Sequence, residues 1–166
     1  FRATLPDLIG IKRDLPEIQM RVGIATGEVV VGNIGSDFSM SYTVMGDAVN
    51  MASRLEGANK SYGTHSLVSA LTAEMVTDVF QMREIDTVLP VGRHEPERIF
   101  ELLGRKGAVE NDVLALRDRY ADGLSAYRGQ DWGRACAAFE ACLALVPDDG
   151  PSQVFLDRIG HLASSP

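Results

Sequence analysis

Cysteine, histidine and positive charge are scarce in this chain, and it has no long apolar run. Only two cysteines, Cys136 and Cys142, occur in 166 residues. They fall six apart within one predicted helix, an awkward separation for a disulfide inside it. Both are read as small core residues of a reduced, cytoplasmic protein. The three histidines, His65, His94 and His161, have no ligand spacing, so a zinc site is not expected. Sixteen basic against 23 acidic residues leave a net charge of −7. That balance argues against nucleic acid or an anionic membrane surface as a general partner. No apolar stretch approaches the roughly 20 residues of a membrane span, and the first residues are not a signal peptide. Serine, cysteine and histidine stand in no triad context. Asp148-Asp149-Gly150-Pro151 reads as a turn rather than a calcium loop, because its oxygens stop after two residues. Gly23, Gly27, Gly32 and Gly35 match no phosphate or dinucleotide fingerprint.

What the chain does contain is 45% apolar residues, ample for a core, in two stretches of different character. In the first, residues 1–15 read as the tail of a helix through Leu5, Leu8, Ile9 and Lys12, leading through Pro16 into a strand at 20–24. Gly27 permits a bend, and Val29-Val30-Val31 continues as a strand too apolar for an exposed edge. Gly32, Gly35 and Ser36-Asp37 mark a loop. A strand at 40–45 ends at Gly46, and a helix follows over 47–59, with Asp47 in its first turn where negative charge favours the macrodipole. Strands at 65–69, 81–88 and 97–103 surround a short helix at 71–77. Alternating strands and helices make this stretch an α/β unit.

After Gly104-Arg105-Lys106-Gly107 the pattern turns helical, over 112–128 and 131–146 with a split at Gly129-Gln130. Gly123, Tyr127, Trp132, Ala135, Phe139, Leu143 and Pro147 match the spacing of one tetratricopeptide repeat, a helical hairpin. Small residues at 123 and 135 let the two helices approach, Trp132 and Phe139 fill the space between them, and a third helix over 152–162 caps the pair. A single repeat cannot bury its own apolar face. The tail must therefore dock on the first stretch, on a second subunit or on a protein partner. The domains are read as 1–107 and 108–166.

The most informative segment is Thr43-Val44-Met45-Gly46-Asp47-Ala48-Val49-Asn50 followed by Met51-Ala52-Ser53-Arg54-Leu55-Glu56. Asn50 and Arg54, four apart at the start of a helix, share a face, while Ala48, Ala52 and Leu55 form the opposite apolar stripe. An amide beside an always-charged, forked donor suits a ribose and a phosphate oxygen.

Together with Arg21-Val22-Gly23-Ile24-Ala25-Thr26-Gly27-Glu28 and Lys60-Ser61-Tyr62-Gly63-Thr64, this segment resembles the second half of a class III nucleotide cyclase catalytic domain, over about residues 16–104. The resemblance implies a partial α+β, ferredoxin-like cyclase homology domain, followed by the all-α hairpin. It implies an adenylate cyclase that forms cyclic AMP and pyrophosphate from ATP, with Asn50 and Arg54 as the transition-state pair and Thr43 as the purine reader. Many adenylyl cyclases carry Asp where Thr43 stands, although threonine is familiar in a bacterial subgroup. The family often has Lys-Gly-Lys before the last hairpin; here the run is Val91-Gly92-Arg93, so Arg93 would have to bind the triphosphate. Two Mg²⁺ or Mn²⁺ ions are implied, with their aspartates expected before residue 1, and the chain alone is expected to be inactive. The family's sites form between two subunits, which implies a head-to-tail homodimer. A guanylate cyclase, and an inactive cyclase-like scaffold acting through its helical tail, remain the alternatives.

Overall fold

The structure, a computed structural model, describes residues 20–36, 39–89 and 95–164. The expected helix of residues 1–15 and the turn carrying Val91, Arg93 and His94 lie outside them. The described elements are β1 (Val22–Ile24), β2 (Val30–Ser36), β3 (Ser39–Met45), α1 (Asp47–Tyr62), β4 (Ser66–Ser69), α2 (Ala70–Val76), β5 (Phe80–Val88), β6 (Glu97–Arg105), α3 (Asn111–Arg128), α4 (Trp132–Leu145) and α5 (Gly150–Ser164). Four strands form a mixed sheet in the order β1-β4-β6-β5, parallel only at β1/β4, and β2 pairs with β3 in a separate antiparallel hairpin. The architecture is α+β, with the last three helices at its C-terminal end.

α1 seats on the sheet through Met51, Leu55 and Tyr62, which meet Leu67, Ile85 and Ile99 in one core. The buried stripe thus runs along Met51 rather than along Ala48 and Ala52, which are half-buried. The helix backbone at Ala52 has another task. A Cβ on Gly23 would fall 2.1 Å from the Ala52 carbonyl oxygen, so only glycine lets β1 run this close beneath the helix. Asn59, fully buried, locks the contact. Its Nδ2 donates to the Val22 carbonyl at 3.0 Å and the Leu55 carbonyl at 2.9 Å, and its Oδ1 accepts from Thr64 Oγ1 at 2.8 Å. Every hydrogen bond this amide needs to tolerate burial is made.

The hairpin departs from expectation. Val30 and Val31 are 68% and 50% exposed, because no layer among the described residues covers either face of β2. Gly32, Gly35 and Ser36 extend that strand rather than forming a loop, since the ladder from Val30↔Met45 to Ser36↔Ser39 satisfies their backbone groups.

The helical tail docks on the sheet. Its own core gathers Leu116, Tyr120, Leu124, Phe139, Phe155 and Ile159, with Ala135 and Cys142 fully buried and Cys136 and Trp132 half-buried against them. Tyr120 donates from its hydroxyl to the Ile85 carbonyl at 2.9 Å. Arg83 of β5, only 3% exposed, donates to Glu101 of β6 at 2.6 Å and to Asp149, just before α5, at 2.7 Å. Asp149 in turn accepts from the Ser152 hydroxyl at 2.6 Å and from its backbone N–H at 3.2 Å.

Arg83→Leu strands two carboxylates in and beside the core, a class of change that costs about 3–5 kcal/mol; the urea unfolding midpoint should fall accordingly. Tyr62 supplies a second prediction. Burial, then its hydrogen bond to Asp86, push its phenol up from 10.0 to about 12. The folded value lies above the unfolded one, so this contribution is intact below pH 10 and lost as pH rises toward 12. Urea midpoints followed from pH 9 to 12 should decline less steeply for Tyr62→Phe than for the wild type.

Candidate active site

β3 leads into α1 through a single residue, Gly46, whose φ of 155° is open chiefly to glycine. The turn delivers the chain directly into a helix. Val49 and Asn50 donate backbone N–H bonds to the Gly46 carbonyl at 3.1 and 3.3 Å. Asp47 occupies the first turn, where its carboxylate faces the positive end of the helix dipole.

Met51 and Leu55 face the core, and this fixes the rotation of α1. Asn50 and Arg54 consequently project from the exposed side, four apart and one turn removed from each other. Neither side chain has a hydrogen-bond or ion-pair partner among the described residues. An exposed guanidinium and amide held side by side by a packed helix are donors without acceptors among the described residues.

Thr43 lies on β3, three residues before the Gly46 corner and exposed, with Gly32 of β2 directly opposite. A Cβ on Gly32 would meet nothing within 4 Å, so the hairpin surface beside Thr43 is open. Thr43, Asn50 and Arg54 therefore all stand on exposed surface around one strand-to-helix corner. Arg93 lies outside the described residues.

A groove of about 720 Å³ opens on the inner side of the same corner, between Thr26, Gly27, Met51 and Ser69. Its size suits a small molecule, but its charged lining is Glu28, Asp47, Glu95 and Glu97. Among the described residues that lining holds four carboxylates and no lysine or arginine. Asn50 and Arg54 do not line it. Those carboxylates do not converge either: among the described residues no three His, Cys, Asp or Glu side chains are placed to hold a metal ion.

Sequence reasoning overlooked Asn59, Tyr62, Asp86 and Arg158. Arg158 donates from Nη1 to Asp86 at 2.6 Å and from Nη2 to the Tyr62 hydroxyl at 3.1 Å, while Tyr62 donates to Asp86 at 2.6 Å. Arg158 and Tyr62 are 96 residues apart, and no local pattern links them. Asn59 did carry a signal, an amide placed four residues after Leu55 on the helix's inner face. No helix among the described residues is long and apolar enough to cross a membrane.

Residues 9–101 match the family model described as the adenylate and guanylate cyclase catalytic domain. The chain is 30% identical over 145 residues to the terminal-differentiation specific adenylate cyclase of Dictyostelium discoideum, covering 85% of this chain and 7% of that protein. It is 44% identical over 95 residues to adenylate cyclase 1 of Rhizobium meliloti, covering 57% and 14%. The adenylyl cyclase CyaB from P. aeruginosa superposes with a TM-score of 0.48 at 30% identity, over 58% of this chain and 49% of that one. The chain thus spans only a small part of the length of these curated relatives. Because 85% of the chain cannot fit within residues 1–107, the Dictyostelium match reaches into the helical tail. A match to the family model that covers more than half of the residues, with the strand-to-helix corner inside it, places this chain in the adenylate and guanylate cyclase catalytic domain family.

Proposed function

We propose that this chain contributes the purine-reading and transition-state side chains of an adenylate cyclase, which closes ATP to 3′,5′-cyclic AMP. The observation that carries this reading is the pair Asn50 and Arg54, exposed on one face of a packed helix and unpartnered among the described residues. Their chain belongs to the cyclase family and its curated relatives include several named adenylate cyclases.

In the reaction the ribose 3′-hydroxyl attacks the α-phosphorus and the bond to pyrophosphate breaks. Such a transfer depends on positioning and on balancing charge. Arg54 places a permanent cation against the charge that builds on the α-phosphate. Asn50, both donor and acceptor, orients the ribose. Thr43 meets the purine edge, and Arg93 takes the triphosphate in place of the lysine that the family often carries where Val91 stands. The divalent ions that such cyclases use find no ligand set among the described residues. We assign their ligands to residues outside these, and none of the steps above passes through them.

A site assembled between two chains accounts for donors left without acceptors. It also accounts for the apolar hairpin, where Met40 is 63% and Tyr42 75% exposed. We assign the second chain as another copy, arranged head to tail. A guanylate cyclase is the second reading, favoured by one observation: the Thr43 hydroxyl accepts and donates, so it suits the guanine oxygen as well as the adenine amine.

The test is cyclic nucleotide formation with Mn²⁺ from ATP or GTP. It uses this chain alone, mixed with a protein supplying the metal-binding half of a cyclase catalytic domain, and the same mixture carrying Arg54→Ala. Activity with ATP only in the wild-type mixture is expected. Arg54→Ala or Asn50→Ala should reduce kcat by about 10²- to 10³-fold. Silence from a folded mixture would overturn the reading. Thr43→Asp, which leaves only an acceptor facing the purine, should raise the preference for ATP over GTP by about tenfold or more, the worth of one hydrogen bond to a charged group; competition between the two nucleotides measures it.

A further inference from the structure

The cyclase reading concerns the first turns of α1, but the structure also specifies what holds the last turn. α5 has two working faces. Phe155 and Ile159 enter the core of the tail. Val154 packs instead against the core formed by α1 and the sheet, and Arg158, four residues on and so on the same side, reaches Tyr62 and Asp86.

The contact begins one turn earlier. A Cβ on Gly150 would lie 2.2 Å from the Tyr62 carbonyl oxygen, so the first residue of α5 abuts the end of α1 backbone to backbone. Gly63, the C-cap of α1 with φ of 67°, lies in the same contact. Arg158 then clasps the last side chain of α1 to the sheet: its guanidinium bonds the Tyr62 hydroxyl and the Asp86 carboxylate, which also accepts from Tyr62. Three groups, one from α5, one from α1 and one from β5, close a ring of hydrogen bonds.

We propose that the helical tail is a brace for the catalytic helix, with Arg158 as a positioning residue that sets where Arg54 and Asn50 stand; the assignment rests on the cyclase reading of those two side chains. Arg54 lies eight residues from Tyr62, about 12 Å along the axis at 1.5 Å per residue. With the clasp removed, α1 loses one of its anchors to the rest of the fold, and a shift of about 1 Å at the pair is able to cost on the order of 10²-fold in rate. A single hairpin needs a surface on which to bury its apolar face, and here that surface belongs to the element presenting the catalytic pair. The match to the Dictyostelium protein, which extends into the tail, is consistent with a tail that accompanies the catalytic unit.

The experiment uses this chain mixed with a protein supplying the metal-binding half of a cyclase catalytic domain, with three variants. Arg158→Ala removes the clasp. Arg158→Lys keeps one charge toward Asp86 but not the forked pair of bonds, and it keeps the test valid should the alanine variant fold poorly. Arg128→Ala is the control, because Arg128 joins the tail to β5 through Glu84 and Thr87 without touching α1. Expected are a fall in kcat of about tenfold for Arg158→Ala with KM for ATP held within about twofold, partial recovery for Arg158→Lys, and wild-type kcat for Arg128→Ala. Amide hydrogen exchange across residues 47–62 should quicken in the Arg158 variants and stay unchanged in Arg128→Ala. Equal kcat losses at positions 128 and 158, or unaltered exchange in α1, would overturn the brace. If the wild-type assembly makes no cyclic nucleotide, it is the cyclase reading that fails, and the exchange comparison alone decides whether α5 braces α1.

Discussion

A guanidinium that is 97% hidden needs compensation on every side, and Arg83, 3% exposed, finds it in Glu101 and Asp149 with the ring of Tyr120 at 4.9 Å. Those partners come from β6, from the turn before α5 and from α3. The ion cluster therefore cannot form until the sheet and the helical tail have met. An incomplete version would leave charge unpaired in a low-dielectric interior, at a cost of several kcal/mol. Net stabilisation by such clusters is often small, but their geometric demand is strict. Asp149 also caps α5 through Ser152, so the same carboxylate that neutralises Arg83 sets where α5 begins. From that start follow the abutment of Gly150 on Tyr62 and the reach of Arg158.

Distance is treated in opposite ways at the two ends of α1. Near the corner, glycine at position 23 brings β1 so close to Ala52 that the helix rests on backbone, while Asn59, in the last turn, fastens strand to helix with a full complement of hydrogen bonds. At the far end, Tyr62 is held by side chains from elements remote in sequence. Between these anchors the helix has little freedom to rotate, which is why Asn50 and Arg54 face outward together. Electrostatic catalysis depends on donors whose position is settled before charge develops, and the proposed role of Asn50 and Arg54 requires a helix held in this way.

The corner joins surfaces of different chemistry. The charged residues that line its groove are, among the described residues, Glu28, Asp47, Glu95 and Glu97, whereas Arg54 stands on exposed surface away from that lining. The hairpin of β2 and β3 exposes Val30, Met40 and Tyr42, and contiguous apolar patches of that kind mark surfaces that another chain covers.

Much of the fold was legible locally. The alternation at 20–24, the glycine at the Gly46 corner and the change of composition after Gly107 each act over a few residues, and the elements appeared close to where those signals put them. The corner motif alone established that an amide and a guanidinium share a helix face, because helical spacing admits no other outcome. Burial was another matter. Val29-Val30-Val31 reads as an interior strand, yet β2 lies open, since apolar character states a preference for cover and not whether cover is present. The partnership of Arg158 with Tyr62 across 96 residues, and the burial of Arg83 between two carboxylates, have no local signature, because each depends on which surfaces the chain brings together after its elements form. Residue order thus determined the elements and the chemistry offered at the corner, while tertiary packing alone decided which charges met, how far the tail reached, and what holds α1 in place.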